Sequence, residues 1–104
     1  AYTLYSIDRS WEEEQTLFEF ILSEGMPEYK VKTSGQRVDV ILFQTGAAKS
    51  LNKLEAGGEL VRTLMAEKEG RTIVSLVLRR PPSDVEYSTS EEEPVLRLKL
   101  SWQE

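Results

Sequence analysis

The feature that most constrains the fold of this 104-residue sequence is an internal repeat. Residues 15–22 (QTLFEFIL) align with residues 71–78 (RTIVSLVL) at an offset of 56, and every apolar position meets an apolar position. After a Gly/Pro break in each half the offset becomes 58, and residues 38–42 align with residues 96–100. Two copies are too few for a solenoid, so the repeat predicts a domain with internal pseudo-twofold symmetry.

Two weaker alignments extend the repeat over the chain. Residues 3–7 align with residues 60–64 at an offset of 57, and Tyr29 aligns with Tyr87. At this length one hydrophobic core is feasible and two are not. We therefore expect a single domain over residues 1–104, with repeat halves at about 1–45 and 58–104 and a connector at 46–57.

Most segments of each half have the pattern of a β-strand. Residues 38–42 and 95–100 alternate apolar and polar positions, which is typical of a strand with one buried face. Residues 72–78 are nearly all apolar or β-branched, which favours a strand buried on both faces. Polar turns precede both closing strands, so each half is expected to end in a hairpin. The prediction is an all-β sandwich of two similar small sheets.

Two segments also carry helix signals. Ser10 and Glu13 have the spacing of a capping box, which favours a helix over residues 11–22. The repeat partner of that segment is a strand pattern, so we predict a strand at 17–22 instead. In the connector, the apolar positions of residues 47–54 fit one helical face and Gly57-Gly58 fits a helix stop, so a short helix is possible there.

Composition argues against several classes of function. The chain has no Cys and no His, which removes thiol nucleophiles, imidazole bases and the usual zinc ligands. The acidic runs 12–14 and 91–93 are typical of hydrated charge rather than of a buried catalytic pair or a calcium loop. We expect a non-enzyme without metal or cofactor. A net charge of -5 argues against nucleic acid, and no apolar run is long enough for membrane insertion.

The order of these features resembles the AMIN (amidase N-terminal) domain family. The first copy spans residues 16–43, the small-residue connector lies at 45–51, and a strand of Leu-Val-Arg character lies at 58–64. The second copy ends with residues 71–76 and 95–100. The sequence departs from the family where the first copy ends, because Leu-Phe-Gln-Thr-Gly stands in place of the usual acidic residue followed by Leu. It therefore resembles a diverged member.

The resemblance implies a β-sandwich in the periplasm or envelope of a bacterium, as a targeting module within a longer multidomain chain. Such a module would bind peptidoglycan or an envelope protein. The alternative is a protein–protein assembly module that pairs through its sheet edges and binds no glycan.

Four residues are candidates for ligand binding. Arg62 and Arg71 could pair with the carboxylates of peptidoglycan stem peptides, although an ordinary ion pair with a nearby Glu explains them equally well. Tyr87 and Trp102 could stack on sugars. Tyr87 could instead be a core or strand-pairing residue matched to Tyr29, and the strand alternation places Trp102 inward, where it would cap the core.

Overall fold

The computed structural model describes residues 1–103, which form nine strands in two stacked sheets. The strands are β1 (Tyr2–Glu12), β2 (Gln15–Ser23), β3 (Tyr29–Ser34), β4 (Arg37–Phe43), β5 (Thr45–Ala47), β6 (Leu60–Lys68), β7 (Arg71–Leu78), β8 (Asp84–Thr89) and β9 (Val95–Ser101). One sheet has the order β5-β1-β2-β9-β8 and the other β3-β4-β7-β6. The predicted all-β sandwich is confirmed. Over this part of the chain no helix could cross a membrane.

The segment with the capping-box signal is a strand, as the repeat predicts. In β2 every second side chain, from Thr16 to Leu22, is buried, and the strand lies between β1 and β9. Phe18 and Phe20 are fully buried in the core. Burying both rings against two neighbouring strands outweighs a local capping signal worth about 1 kcal/mol.

The pseudo-twofold relates β1–β4 to β6–β9, and the two halves exchange hairpins. The β8–β9 hairpin of the second half pairs with β2, while the β3–β4 hairpin of the first half pairs with β7. Thr16 opposite Leu100 is matched by Thr72 opposite Leu42, so the offsets of 56 and 58 are both confirmed. The chain changes sheets at the predicted Gly/Pro breaks.

Two of the weaker alignments are wrong in register. Both β1 and β6 carry a bulge, after Leu4 and after Leu60, and both of these leucines face the last inward residue of the neighbouring strand. The N-terminal offset is therefore 56 and not 57. Tyr29 faces Leu42, whereas Val85 faces Leu100, so Tyr29 corresponds to Val85 and not to Tyr87. A two-residue slip preserves the alternation of a short strand, and the bulges of β1 and β6 break the alternation that would otherwise reveal a one-residue slip.

The connector does not form the short helix that its spacing allows. It begins with β5, which pairs in parallel with the start of β1, and continues along the same edge, where Ala48 N–H donates to Leu4 C=O at 2.9 Å. Leu51 and Leu54 pack against the core from the turn at 48–51 and the irregular chain that follows it. Pairing with the open edge of β1 satisfies backbone groups that a helix would leave exposed.

The core between the sheets is aliphatic and aromatic, and Trp102 closes one end of it. As the alternation predicts, Trp102 points inward and is 8% exposed. Its indole N–H donates to the Thr16 hydroxyl at 2.9 Å, which satisfies the buried polar atom. The same end of the sandwich holds Trp11 at the end of β1, and Trp11 is 53% exposed.

Trp11 lies against the glycine pair that precedes β6. Gly58 has φ +55°, and a Cβ at this position would lie 2.6 Å from the Trp11 Nε1. The guanidinium of Arg9 lies 4.4 Å from the centre of the Trp11 ring. Gly57-Gly58 is therefore a packing surface for the indole and not a helix stop.

Gly58→Ala should destabilise the domain more than Gly35→Ala does. Both glycines have positive φ, but a Cβ at Gly35 would meet no atom within 4 Å. Gly35→Ala should cost about 1 kcal/mol for the backbone conformation alone. Gly58→Ala should cost about 2–3 kcal/mol because the Trp11 ring must also move. Chemical denaturation checks this, and equal losses would show that the indole contact contributes nothing.

Candidate functional site, the cationic face

The outer face of the four-stranded sheet gathers positive charge from all four of its strands. Residues that alternate with the buried core positions point to this face. The cationic ones are Lys30 and Lys32 on β3, Arg37 on β4, Arg62 and Lys68 on β6, and Arg71 on β7. We call this surface the cationic face. Lys30 and Lys32 lie on one margin of the sheet and Arg62 and Lys68 on the other, with Arg37 and Arg71 on the two strands between them.

The charge on this face opposes the charge of the whole molecule. Six of the 13 Lys and Arg residues point outward here, together with one acid, Asp39. The face thus carries a formal +5 in a chain of net -5, which leaves -10 for the remainder. On the opposite sheet the outward residues include five acids (Asp8, Glu12, Glu19, Asp84 and Glu86) and two cations (Arg97 and Lys99). The two faces therefore differ in sign.

The middle of the cationic face is apolar. Ile41 and Ile73 face each other on β4 and β7, and Phe43 and Leu64 lie diagonally to Ile73 on the two neighbouring strands. Ile41 is 8% exposed although it points away from the core. The aliphatic stems of neighbouring Lys and Arg side chains can cover such positions while their charged ends stay in water. The surface thus combines an apolar centre with a charged margin.

Beside the apolar pair, Arg37 and Asp39 of β4 form a hydrogen-bonded network with Ser75 of β7. Arg37 Nε donates to the Asp39 carboxylate at 3.0 Å, and Arg37 Nη2 donates to the Ser75 hydroxyl at 3.1 Å. Burial raises the pKa of Asp39, but hydrogen bonds from Ser75 and Arg37 and the charges of Arg37 and Lys32 outweigh it. The net effect is a pKa below the ordinary value of 3.8. The Asp39 carboxylate orients the Arg37 guanidinium and offsets one of the six positive charges on the face.

Arg71 lies where the face meets the end of the sandwich, between two hollows. One hollow has a volume of about 540 Å³, and the residues that line it include Tyr2, Met26 and Phe43. The other has a volume of about 500 Å³ and lies beside Thr45 and the β6–β7 turn. The Arg71 guanidinium lies 5.9 Å from the centre of the Phe43 ring and 3.4 Å from the Glu69 carboxylate. An exposed pair at that distance holds Arg71 weakly.

Arg62 lies at the other end of the same hairpin. It is exposed, follows the bulge in β6 and faces Val77. Within residues 1–103 it forms no ion pair. Because Val77 and Arg71 are six residues apart on β7, Arg62 and Arg71 are separated by about 20 Å. The two predicted arginines share a face but not a pocket, so an extended ligand would be needed to contact both.

The structure does not place the two predicted aromatics on this face. Tyr87 is 49% exposed on β8, in the other sheet, and its ring contacts Tyr29 of β3 edge-on, with ring centres 6.0 Å apart. This contact joins the edges of the two sheets. Trp102 is buried, and Arg80 lies over its ring at 5.6 Å. Tyr87 packs against Tyr29 and Trp102 against Arg80, so both aromatics have contacts within the fold.

Four members of the cationic face were not among the predicted site residues: Lys30, Lys32, Arg37 and Lys68. The alternation Lys30-Val31-Lys32 could have placed two cations on one side of a strand. No local pattern shows that β3 and β6 belong to the same sheet, because the two strands come from different halves of the chain.

The acidic runs occupy opposite ends of the five-stranded sheet. Residues 12–14 lie at the β1–β2 turn and residues 91–93 at the β8–β9 turn, and all six are exposed. Over residues 1–103 there is no cluster of three or more acids placed to hold a metal ion.

Comparison with protein-family models, with curated proteins and with solved structures finds no match to this chain. The fold and the charge on its surfaces are therefore the basis on which a function can be argued.

Asp39→Asn should lower stability in a pH-dependent way. Because folding lowers this pKa, the carboxylate stabilises the fold fully above the ordinary value of 3.8 and ceases to do so as pH falls through its folded-state pKa. The variant should lose about 0.5–1 kcal/mol at neutral pH, and the difference should shrink as the pH falls below 3.8 through the folded-state pKa. Urea denaturation across pH checks this, with Asp84→Asn on the opposite face as the control. A constant difference would contradict the network.

Proposed function

We propose that this domain is a non-catalytic binding module of the bacterial cell envelope, a diverged relative of the AMIN domain. In this proposal it recognises peptidoglycan and so localises a larger periplasmic protein. The observation that carries the proposal is the cationic face, a formal +5 gathered on one surface of an acidic chain.

Random placement of charge on an acidic domain would not favour such a face. Like charges on neighbouring strands repel one another and lower stability, so six cations on one sheet surface have a cost in the free protein. That cost is recovered when an anionic ligand covers the surface. A ligand with carboxylates at intervals fits a face that is about 20 Å long and bears cations along both margins.

Peptidoglycan has the chemistry that this surface would recognise. Its stem peptides carry carboxylates, and the guanidinium of Arg62 or Arg71 can bind a carboxylate through two parallel hydrogen bonds. Arg71 also lies beside a hollow lined in part by Phe43 and Met26, which can pack against aliphatic peptide side chains. The apolar centre around Ile41 and Ile73 can contact the less polar parts of a polymer lying across the sheet.

Binding of this kind depends on charge and also on apolar contacts and paired hydrogen bonds. Charge alone predicts binding that disappears at moderate ionic strength, because exposed charges are screened over about 8–10 Å. Contacts with the apolar centre and paired hydrogen bonds are screened less. The proposal therefore requires retention on the cell wall to fall with salt but not to vanish.

The purified domain should co-sediment with isolated peptidoglycan sacculi at low and at moderate salt. The double variant Arg62→Ala/Arg71→Ala should bind about tenfold more weakly, since it removes both guanidinium contacts. The double variant Arg97→Ala/Lys99→Ala is the matched control, because it removes the same charge from the opposite face. Absence of retention at both salt concentrations, or equal weakening in both variants, would overturn the proposal.

A further inference from the structure

We propose that β6 pairs with β6 of a second copy of this chain, so that two four-stranded sheets join into one continuous sheet across a twofold axis. The pairing is antiparallel and centred on Leu64. It uses the backbone of residues 62–66 in each copy. The pairing does not depend on the proposed function.

The pseudo-twofold leaves the two equivalent edges unequal. The edge of β1 is covered by β5 and by the rest of the connector, with Ala48 N–H bonded to Leu4 C=O and Arg9 Nη1 bonded to Glu55 C=O. The edge of β6 is the equivalent position in the other half. The connector between the two halves runs along the β1 edge. Over residues 1–103, β6 has β7 on one side and, on the other, a single bridge from Gly57 to Leu60.

The uncovered strand also carries exposed apolar side chains. Leu64 is 38% exposed and Val61 is 39% exposed, both on β6. A nine-residue edge with apolar side chains and no Pro is the kind of edge that accepts another strand.

The remaining edges are less suited to a partner strand. The edges of β3 and β8 are joined across the sandwich by the contact between Tyr29 and Tyr87. Lys30 and Lys32 point outward from β3, and Asp84 and Glu86 point outward from β8. Two like charges so close together on one edge oppose pairing with a second copy of the same strand, whereas the outward cations of β6 lie six residues apart.

The backbone of β6 has the right groups free for the proposed register. Leu78 N–H donates to Gln36 C=O on the β4 side, so alternate residues of β7, among them Ser75 and Val77, direct their backbone groups toward β6. Their partners on β6 are Leu64 and Arg62. The intervening residues Thr63 and Met65 therefore direct their N–H and C=O groups toward the open edge.

An antiparallel pairing centred on Leu64 satisfies these groups reciprocally. Thr63 of each copy then exchanges hydrogen bonds with Met65 of the other, and the two Leu64 side chains face each other. Arg62 faces Ala66 of the other copy, so no two like charges are opposed. A register shifted by one pair toward the β6–β7 turn would instead place Arg62 opposite Lys68, which costs stability.

Such a dimer changes what the cationic face can bind. A twofold axis perpendicular to the sheet keeps both outer faces on the same side, and the two sets of cations become one surface. This consequence rests on the proposed function, because it matters only if the face binds an anionic polymer. Two linked faces bind a polymer far more tightly than one, since the second contact forms at high effective concentration.

Cysteine cross-linking tests the register directly, because the chain has no Cys of its own. Leu64→Cys places two thiols opposite each other at a Cβ separation of about 4.5–5.5 Å, close to disulfide geometry. Ala66→Cys is the matched control on the same strand and face, and its two thiols would be at least 13 Å apart by strand spacing, roughly. Under mild oxidation Leu64→Cys should form the disulfide-linked dimer at least tenfold faster. Equal rates would overturn the register.

Sedimentation velocity of the wild-type chain, from micromolar to millimolar concentration, tests the association itself. A concentration-dependent dimer is expected, and Leu64→Lys should weaken it about tenfold or more, because it opposes two like charges and removes an apolar contact. Tyr5→Lys, at an exposed position on the covered β1 edge, should leave the dimer unchanged. A wild-type chain that stays monomeric throughout, or equal weakening by the two variants, would overturn the proposal.

The same variants separate this inference from the proposed function. The Leu64→Cys chain has the same side chains on the cationic face before and after oxidation, so stronger retention of the disulfide-linked dimer than of the reduced chain on sacculi would report the contribution of the second face. A dimer that forms normally but does not bind sacculi would overturn the proposed function alone. Retention by a strictly monomeric chain would overturn the dimer alone.

Discussion

The pairing of β2 with β9 and of β4 with β7 is the interaction on which the rest of the structure depends. Each pair joins strands from different halves of the chain, and these four strands form the centre of both sheets. The fully buried phenylalanines of β2 and the leucines of β9 meet along one pair, and the valines of β4 and β7 meet along the other. The core therefore exists only when both halves are present.

The cationic face follows from the same exchange of hairpins. Lys30, Lys32 and Arg37 come from the first half, and Arg62, Lys68 and Arg71 from the second. Neither half carries the surface by itself. Alternation along each strand sends these side chains outward, and strand pairing then adds the separate rows together. The acidic residues are left on the opposite sheet and at the turns, so the molecule has a positive and a negative side although no run of cations in the sequence forms the positive one.

Much of the fold could be predicted because the repeat compares two distant segments under the same constraint. The strand at 17–22 was predicted correctly against a local helix signal, since residues 71–78 cannot form a good helix. The inward direction of Trp102 followed from simple alternation. Registers were harder to predict. The match of Tyr29 to Tyr87 failed because identical residues in short alternating strands align as well at the wrong register as at the right one.

The candidate site could be predicted only in part. Arg62 and Arg71 were singled out for their chemistry, and they do share a face, but the four other cations depend on which strands become neighbours. That information is held in contacts between residues far apart in sequence. The connector was misread for a similar reason. Ala47, Ala48, Leu51 and Leu54 have helical spacing, yet the open edge of β1 provides backbone partners that no local pattern reveals.

The exchange of hairpins also limits how this architecture can be divided. A chain with a single copy of the repeat would have one hairpin for each sheet. Each hairpin would lack the neighbouring hairpin that the other copy supplies in the same sheet, so the sandwich could not close. Two such chains could complete both sheets by trading one hairpin each, as separate protomers do in domain swapping. In the present chain the connector keeps the two copies together, so assembly of the core is a unimolecular event whose rate does not depend on protein concentration.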